Sequence, residues 1–136
     1  TKKVDGYVKL YNDSGLLTEH LIMRQGKIWE IIERKDSNGK PFENTGSLKE
    51  GNGTVITYDE KDRIKLMATF RGGVLHGESI KYYSNGNIAM KGYYYEGRRC
   101  GTWYRYETNG SLKGTRESPI ECETGQSIEN KYEKCA

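Results

Sequence analysis

Polar and apolar residues alternate along this chain in short runs. Ile80-Lys81-Tyr82-Tyr83 and the stretch Ile88 to Tyr95 are two such runs, rich in side chains that suit pleated backbone, and Ser84-Asn85-Gly86 stands between them. The same punctuation recurs at Ser14-Gly15, Asn38-Gly39 and Asn109-Gly110, where a tight hairpin would need a residue at positive φ. Arg71-Gly72-Gly73 and Glu96-Gly97-Arg98 mark the turn into the next run. Gly92, inside a strand pattern, predicts the close approach of another group.

The runs are periodic. Gly53, Gly77 and Gly101 stand 24 residues apart, and the step of 47 from Gly6 to Gly53 leaves room for one further unit starting at Glu30. Five residues beyond these starts come Tyr11, Lys35, Tyr58, Tyr82 and Tyr106; nine beyond come Gly15, Gly39, Asp62, Gly86 and Gly110. Eleven beyond come Leu17, Pro41, Ile64, Ile88 and Leu112; two beyond come Val8, Ile32, Val55, Ser79 and Trp103. The period predicts an all-β fold, an open antiparallel meander of about five β-hairpin repeats in a single-layer sheet over residues 1–115. Pro41 cannot donate to a ladder, so the hairpin of the second unit should be short, at an edge or partly loop. The pattern stops after Gly114, and residues 116–136 read as a C-terminal cap on the last edge. Within it Ile128, Tyr132 and Cys135 have the spacing of a short amphipathic helix or turn.

His76-Gly77-Glu78-Ser79-Ile80-Lys81-Tyr82-Tyr83-Ser84-Asn85-Gly86-Asn87-Ile88 and Cys100 to Lys113 resemble the bacterial MORN-variant repeat, whose unit is roughly Gly-x-Trp-x-x-Tyr-x-x-Asn-Gly-x-Leu. The likeness is in particular to the antitoxin-like repeat proteins, and it covers residues 5–114. The second unit departs from it, with Glu30 for the first Gly, Lys35 for the Tyr and Pro41 for the Leu. The resemblance implies an elongated sheet that binds a protein or a surface, with no catalytic residues to carry over.

Charge and chemistry narrow the function. The net charge of +3, from 22 basic and 19 acidic side chains, is too small to argue for nucleic acid as partner. It is uneven: residues 117–136 carry five Glu against Lys131 and Lys134, leaving residues 1–116 at +6. Three cysteines lack zinc-site spacing; in an oxidising compartment Cys122 with Cys135 is the expected disulfide, leaving Cys100 free. His20 and His76 fall in different units and give no metal spacing, and the Asp, Ser and Asn residues cluster at turns, not in catalytic constellations. The expectation is a non-enzymatic module with no cofactor and no metal. The chain begins at Thr1, so either a leader has been removed or the chain is trimmed; the location stays open, with envelope or secreted slightly favoured over cytoplasm.

Aromatic and basic side chains interleave between Lys81 and Tyr106. Trp, Tyr and Arg dominate interface hot spots, so the expected binding residues are Trp103, Arg105, Lys81, Tyr82, Tyr94 and Tyr106. Strand parity divides them. Ile80, Tyr82, Tyr104 and Tyr106 share the more apolar face, expected to be the core side, and Ser79, Lys81, Trp103 and Arg105 share the other, expected to be open. The expected partner is a protein or a second copy of the chain, with a lipid headgroup or glycan as the alternative, and no nucleic acid.

Overall fold

The computed structural model of the chain describes residues 4–127. Among them there is no helix, and the strands form two antiparallel sheets in which every strand pairs with its neighbour in sequence. The first sheet holds β1 (Gly6–Tyr11), β2 (Leu17–Arg24) and β3 (Lys27–Arg34). The second holds β4 (Gly53–Tyr58), β5 (Ile64–Arg71), β6 (Val74–Tyr82), β7 (Ile88–Tyr95), β8 (Arg98–Tyr106) and β9 (Leu112–Glu117). The boundary expected between residues 115 and 116 therefore falls inside β9. The helix expected near the C-terminus lies largely outside the described residues.

Two kinds of turn alternate. The loop kind recurs five times with one hydrogen-bond pattern: Asn12, Asp36, Asp59, Tyr83 and Glu107 each accept a backbone bond from the residue three positions on and donate one to the residue four on. The accepted donors are Gly15, Gly39, Asp62, Gly86 and Gly110, all at positive φ. The positive φ expected in these loops is there, but the residue ahead of each glycine does not share it, so the loops are longer than two-residue hairpin turns. The linking kind, at Gln25-Gly26, Gly72-Gly73 and Glu96-Gly97, has positive φ at both central residues, as a type I′ turn requires.

Gly77 and Gly101, at φ 113° and 65°, lie inside β6 and β8 where the register slips: Ala68 faces Ser79 but Phe70 faces Leu75, and Lys91 faces Tyr104 but Tyr93 faces Cys100. The longer strand makes a bulge, and a side chain at Gly77 would be strained there whatever the space. At the corresponding place in β3, Glu30 has no positive φ, and the slip is divided into two, at His20/Leu21 and Ile22/Met23 of the partner strand.

The second unit has no return strand. Beyond β3 only a Lys35–Pro41 bridge and a bond from Phe42 N–H to the Arg34 carbonyl continue the ladder, as the missing donor at Pro41 anticipates. The chain then runs along β4, with Ser47 and Leu48 N–H donating to the Thr54 carbonyl and Ile56 N–H to Thr45. This segment takes the outer edge of β4 and divides the sheets. Across the seam Gly51 N–H donates to the Trp29 carbonyl at 2.9 Å, and a Cβ on Gly51 would meet the Trp29 ring at 2.7 Å. Phe42 stacks on Tyr58 with ring centroids 3.9 Å apart, and Arg34 Nη1 donates to the Ile56 carbonyl at 3.4 Å.

Among the described residues, deep burial is confined to few side chains: Leu21, Leu48, Val55, Ala68, Ser79, Cys100 and Trp103. Four of them form a strip across the second sheet. Val55 faces Ala68, Ala68 faces Ser79, Ser79 faces Gly92, and Trp103 lies over Gly92.

The disulfide expectation is corrected. Cys100 is joined to Cys122, with Cα atoms 5.0 Å apart. Backbone bonds from Gly101 N–H to the Ile120 carbonyl and from Ser118 N–H to the Gly101 carbonyl fold the segment after β9 back onto β8. That fold brings Cys122 beside a repeat cysteine 22 residues away, a closeness across strands that proximity in sequence does not reveal. Cys135 lies outside the described residues.

Candidate functional site

The face of β6–β9 that carries Trp103 is the candidate site. A Cβ on Gly92 would lie 2.1 Å from the Trp103 ring, so glycine leaves the hollow that the indole fills. Tyr94 meets the ring edge-on at 5.2 Å and 83°, and the Arg99 guanidinium stacks over it at 4.4 Å from the centroid. Arg116 is the direct cross-strand partner of Trp103, and Arg105 follows two residues along β8, so both share its side of the sheet. Arg105 faces Met90, and Met90 faces Lys81.

Four cations therefore gather on one face, and all four are exposed. Glu78 and Glu117, the acidic residues within β6–β9, belong to the other face: Glu78 pairs with Tyr93, and Glu117 accepts a bond from the Thr102 hydroxyl at 2.6 Å. Among the described residues, the ion pairs engage Arg34, Lys35, Arg63 and Arg71, not Lys81, Arg99, Arg105 or Arg116. Beneath the cations Trp103 is only 5% exposed, and its Nε1–H is a buried donor with no hydrogen-bond partner among the described residues. An unmet donor of this kind normally costs stability or serves a ligand.

The opposite face has a different character. Ile56, Met67, Ile80, Lys91 and Tyr104 face one another in a row across five strands. Lys91 Nζ lies 5.7 Å from the Tyr104 ring and 5.9 Å from the Tyr106 ring, while Tyr93 remains 50% exposed. Tyr106 accepts a bond at its carbonyl from the Tyr83 hydroxyl at 2.6 Å.

These positions correct the assignment of faces. Trp103, expected on the open side, is one of the most buried residues, and Tyr104, expected in the core, is exposed. The reason is volume. Side chains two residues beyond the last three unit starts, Val55, Ser79 and Trp103, oppose Ala68 and Gly92, so small residues and one large indole interlock there, which a count of apolar residues per face overlooks. Of the six expected binding residues, Trp103, Arg105, Lys81 and Tyr94 share this face. Tyr106 lies on the other with Lys91, and strand alternation puts Tyr82 there too. Arg99 and Arg116 complete the cluster. Arg116 falls outside the stretch that drew attention in the sequence, and only the β8–β9 register exposes its pairing with Trp103.

The two histidines have local roles. His20 lies 5.8 Å from the Tyr7 ring, and His76 Nδ1 accepts a bond from Glu96 N–H at 3.1 Å. A second concavity, a cleft of about 280 Å³ between the sheets, is lined by Glu19, Arg34, Asp36, Phe42, Tyr58 and Asp59 among others. Arg34 Nε stands 3.6 Å from Glu19, an ionic contact too long for a hydrogen bond. Burial pushes the Tyr58 phenol above its ordinary pKa, and its hydroxyl donates to the Asn44 carbonyl at 2.5 Å. Charges of both signs crowd this cleft, and its polar groups are largely occupied with each other. Comparison of the chain with protein-family models, with curated proteins and with solved structures returned no match.

Proposed function

We propose that the chain is a non-catalytic binding module, built from about five β-hairpin repeats of the MORN-variant kind, that engages a protein partner as an adaptor or an antitoxin- or immunity-like protein. The five loops of one hydrogen-bond pattern support the repeat reading, with the second unit curtailed at Pro41. The observation that carries the binding reading is the face where Arg99 and Arg116 flank Trp103 and Arg105 and Lys81 lie on the same side, with no described carboxylate paired to them. Arg and Trp are the residues most enriched where partners grip.

The test is to recover the partner from source cells and then replace Lys81 and Arg105 together by Ala, and Tyr82 and Tyr106 together by Ala. The first pair should loosen the complex at unchanged melting temperature. Retention unaffected by either pair would overturn the reading.

A second reading, an exported module that binds a lipid headgroup or glycan, draws on the Cys100–Cys122 disulfide, since such bonds persist in oxidising compartments. Binding to anionic vesicles or glycan arrays, unaffected by removal of any protein partner, would favour it.

A further inference from the structure

We infer that the outer edge of β9, which no described strand pairs, together with the adjoining face of Arg99, Arg105 and Arg116, takes an extended acidic segment of a protein partner, added to the sheet as a further strand. The inference rests on the binding-module reading and gives it a site and a partner chemistry. β9 is the last strand of its sheet, and among the described residues no strand pairs with its outer side. Such an edge presents a row of backbone donors and acceptors ready for another chain. Strand addition supplies affinity through the main chain and leaves specificity to alternate side chains.

Those side chains would meet basic groups. A strand beside β9 projects every second residue onto the face of Arg116, with Arg105 and Arg99 one strand further in, roughly 5 Å per strand step. Guanidinium groups bind carboxylates through paired hydrogen bonds, and here no described carboxylate already holds them. The cations are spread across three strands with Lys81 at the far side, which suits a row of carboxylates better than a single phosphate. The same charges argue against a second copy. Two antiparallel β9 edges paired with Gly114 facing Thr115 would set Lys113 of one against Arg116 of the other, a repulsive pairing.

The buried Trp103 Nε1–H adds an independent sign. Among the described residues it is an unpaired donor beneath the Arg99 guanidinium, and an incoming carboxylate that drew Arg99 aside would bring an acceptor to it.

The probe is a short synthetic peptide of alternating Glu and Thr, fluorescein-labelled and titrated by anisotropy, with hydrogen exchange of the protein followed in parallel. Binding is expected, weaker as salt rises, with slowed exchange of β9 amides. The exposed double variant Arg105→Glu/Arg116→Glu should lose at least about tenfold in affinity. Lys9→Glu/Lys65→Glu, an equal change of charge elsewhere, should not. Near-native far-UV spectra and an intact disulfide check that both variants fold. No binding, equal loss in both variants, unprotected β9 amides, or tighter binding to phosphatidylserine vesicles or inorganic phosphate would each overturn the site. A natural partner held equally by wild type and Arg105→Glu/Arg116→Glu would sink this site while leaving the binding-module reading intact.

Discussion

Strands β1–β3 and strands β6–β8 are laid out alike, a hairpin loop and then a linking turn, yet the first group ends in a broken ladder and the second continues to β9. The difference lies in two residues. In β6 and β8 a glycine at positive φ takes the whole register slip in one bulge; in β3 Glu30 cannot, and the slip is divided. Pro41 then withholds a donor where Ile64, Ile88 and Leu112 open their strands, and the chain leaves the ladder. Periodic turns are enough to repeat a hairpin. Continuing the sheet needs the bulge glycine and a return strand that can donate at every position.

The largest effect should come from filling the hollow that organises the second sheet. Gly92→Val would drive two methyls into the Trp103 ring, and a loss of about 3 kcal/mol or more is expected in urea unfolding. Gly114→Ala is its control in β9, at ordinary φ with nothing within 4 Å of the new Cβ, and should change stability by no more than about 0.5 kcal/mol. If the two cost the same, the indole is not holding the strip together.

Next comes the disulfide, which belongs to one region only. Opening a bond that closes 22 residues, by Cys122→Ser, should cost about 3 kcal/mol through the unfolded chain. Hydrogen exchange should quicken in β8 and β9 and remain unchanged in β1–β3. Uniform acceleration would mean the two sheets unfold as one unit.

Exchanging the bulge residues probes the contrast directly. Gly77→Ala places a Cβ 3.0 Å from Thr69 at a φ of 113° and should cost about 2 kcal/mol. The reverse exchange, Glu30→Gly, should not stabilise β3. Its backbone already avoids positive φ, and a glycine there adds only unfolded-state entropy, a loss of about 0.5–1 kcal/mol. A gain in stability would show that Glu30 is strained and that the divided slip is forced.

Much of this was legible in the residues, for physical reasons. Turn chemistry is local, so Asn85-Gly86 and Asn109-Gly110 announced their loops, and Pro41 announced the failed strand. Gly92 was readable as a close approach because a glycine within a strand has few other uses. The faces were misread because parity identifies which residues lie together but not which side fills. That depended on Gly92 opposing Trp103 through a register slip at Gly101, a sum of cross-strand volumes absent from any single strand. The disulfide was misread for a related reason: the pairing depends on how the segment after β9 folds back onto Gly101. Arg116 was missed because its partner is defined by register alone.

The smallest effect distinguishes individual loops by pH. In the first three loops an Asn or Asp side chain caps the turn: Oδ1 of Asn12, Asp36 and Asp59 each accepts two backbone N–H groups. In the last two loops the cap moves to Asn85 and Asn109, which do not titrate. The backbone N–H of Arg63 holds the Asp59 carboxyl below its ordinary pKa, outweighing an opposing push from desolvation, and the Lys61 N–H and the Arg63 side chain add to it. A depressed folded-state pKa favours the folded chain wherever the unfolded carboxyl would hold a proton more readily. The contribution is therefore complete above the unfolded value and fades as the pH falls through the folded one. On acidification the amides of Lys61 and Arg63 should lose protection while those of Asn87 and Ser111 do not. Asp59→Asn, which restores the cap already used at Asn12, should abolish the response without altering the loop. If Asn87 and Ser111 follow the same acid curve, the loops are coupled along the sheet and the capping residue does not set the acid response of each loop.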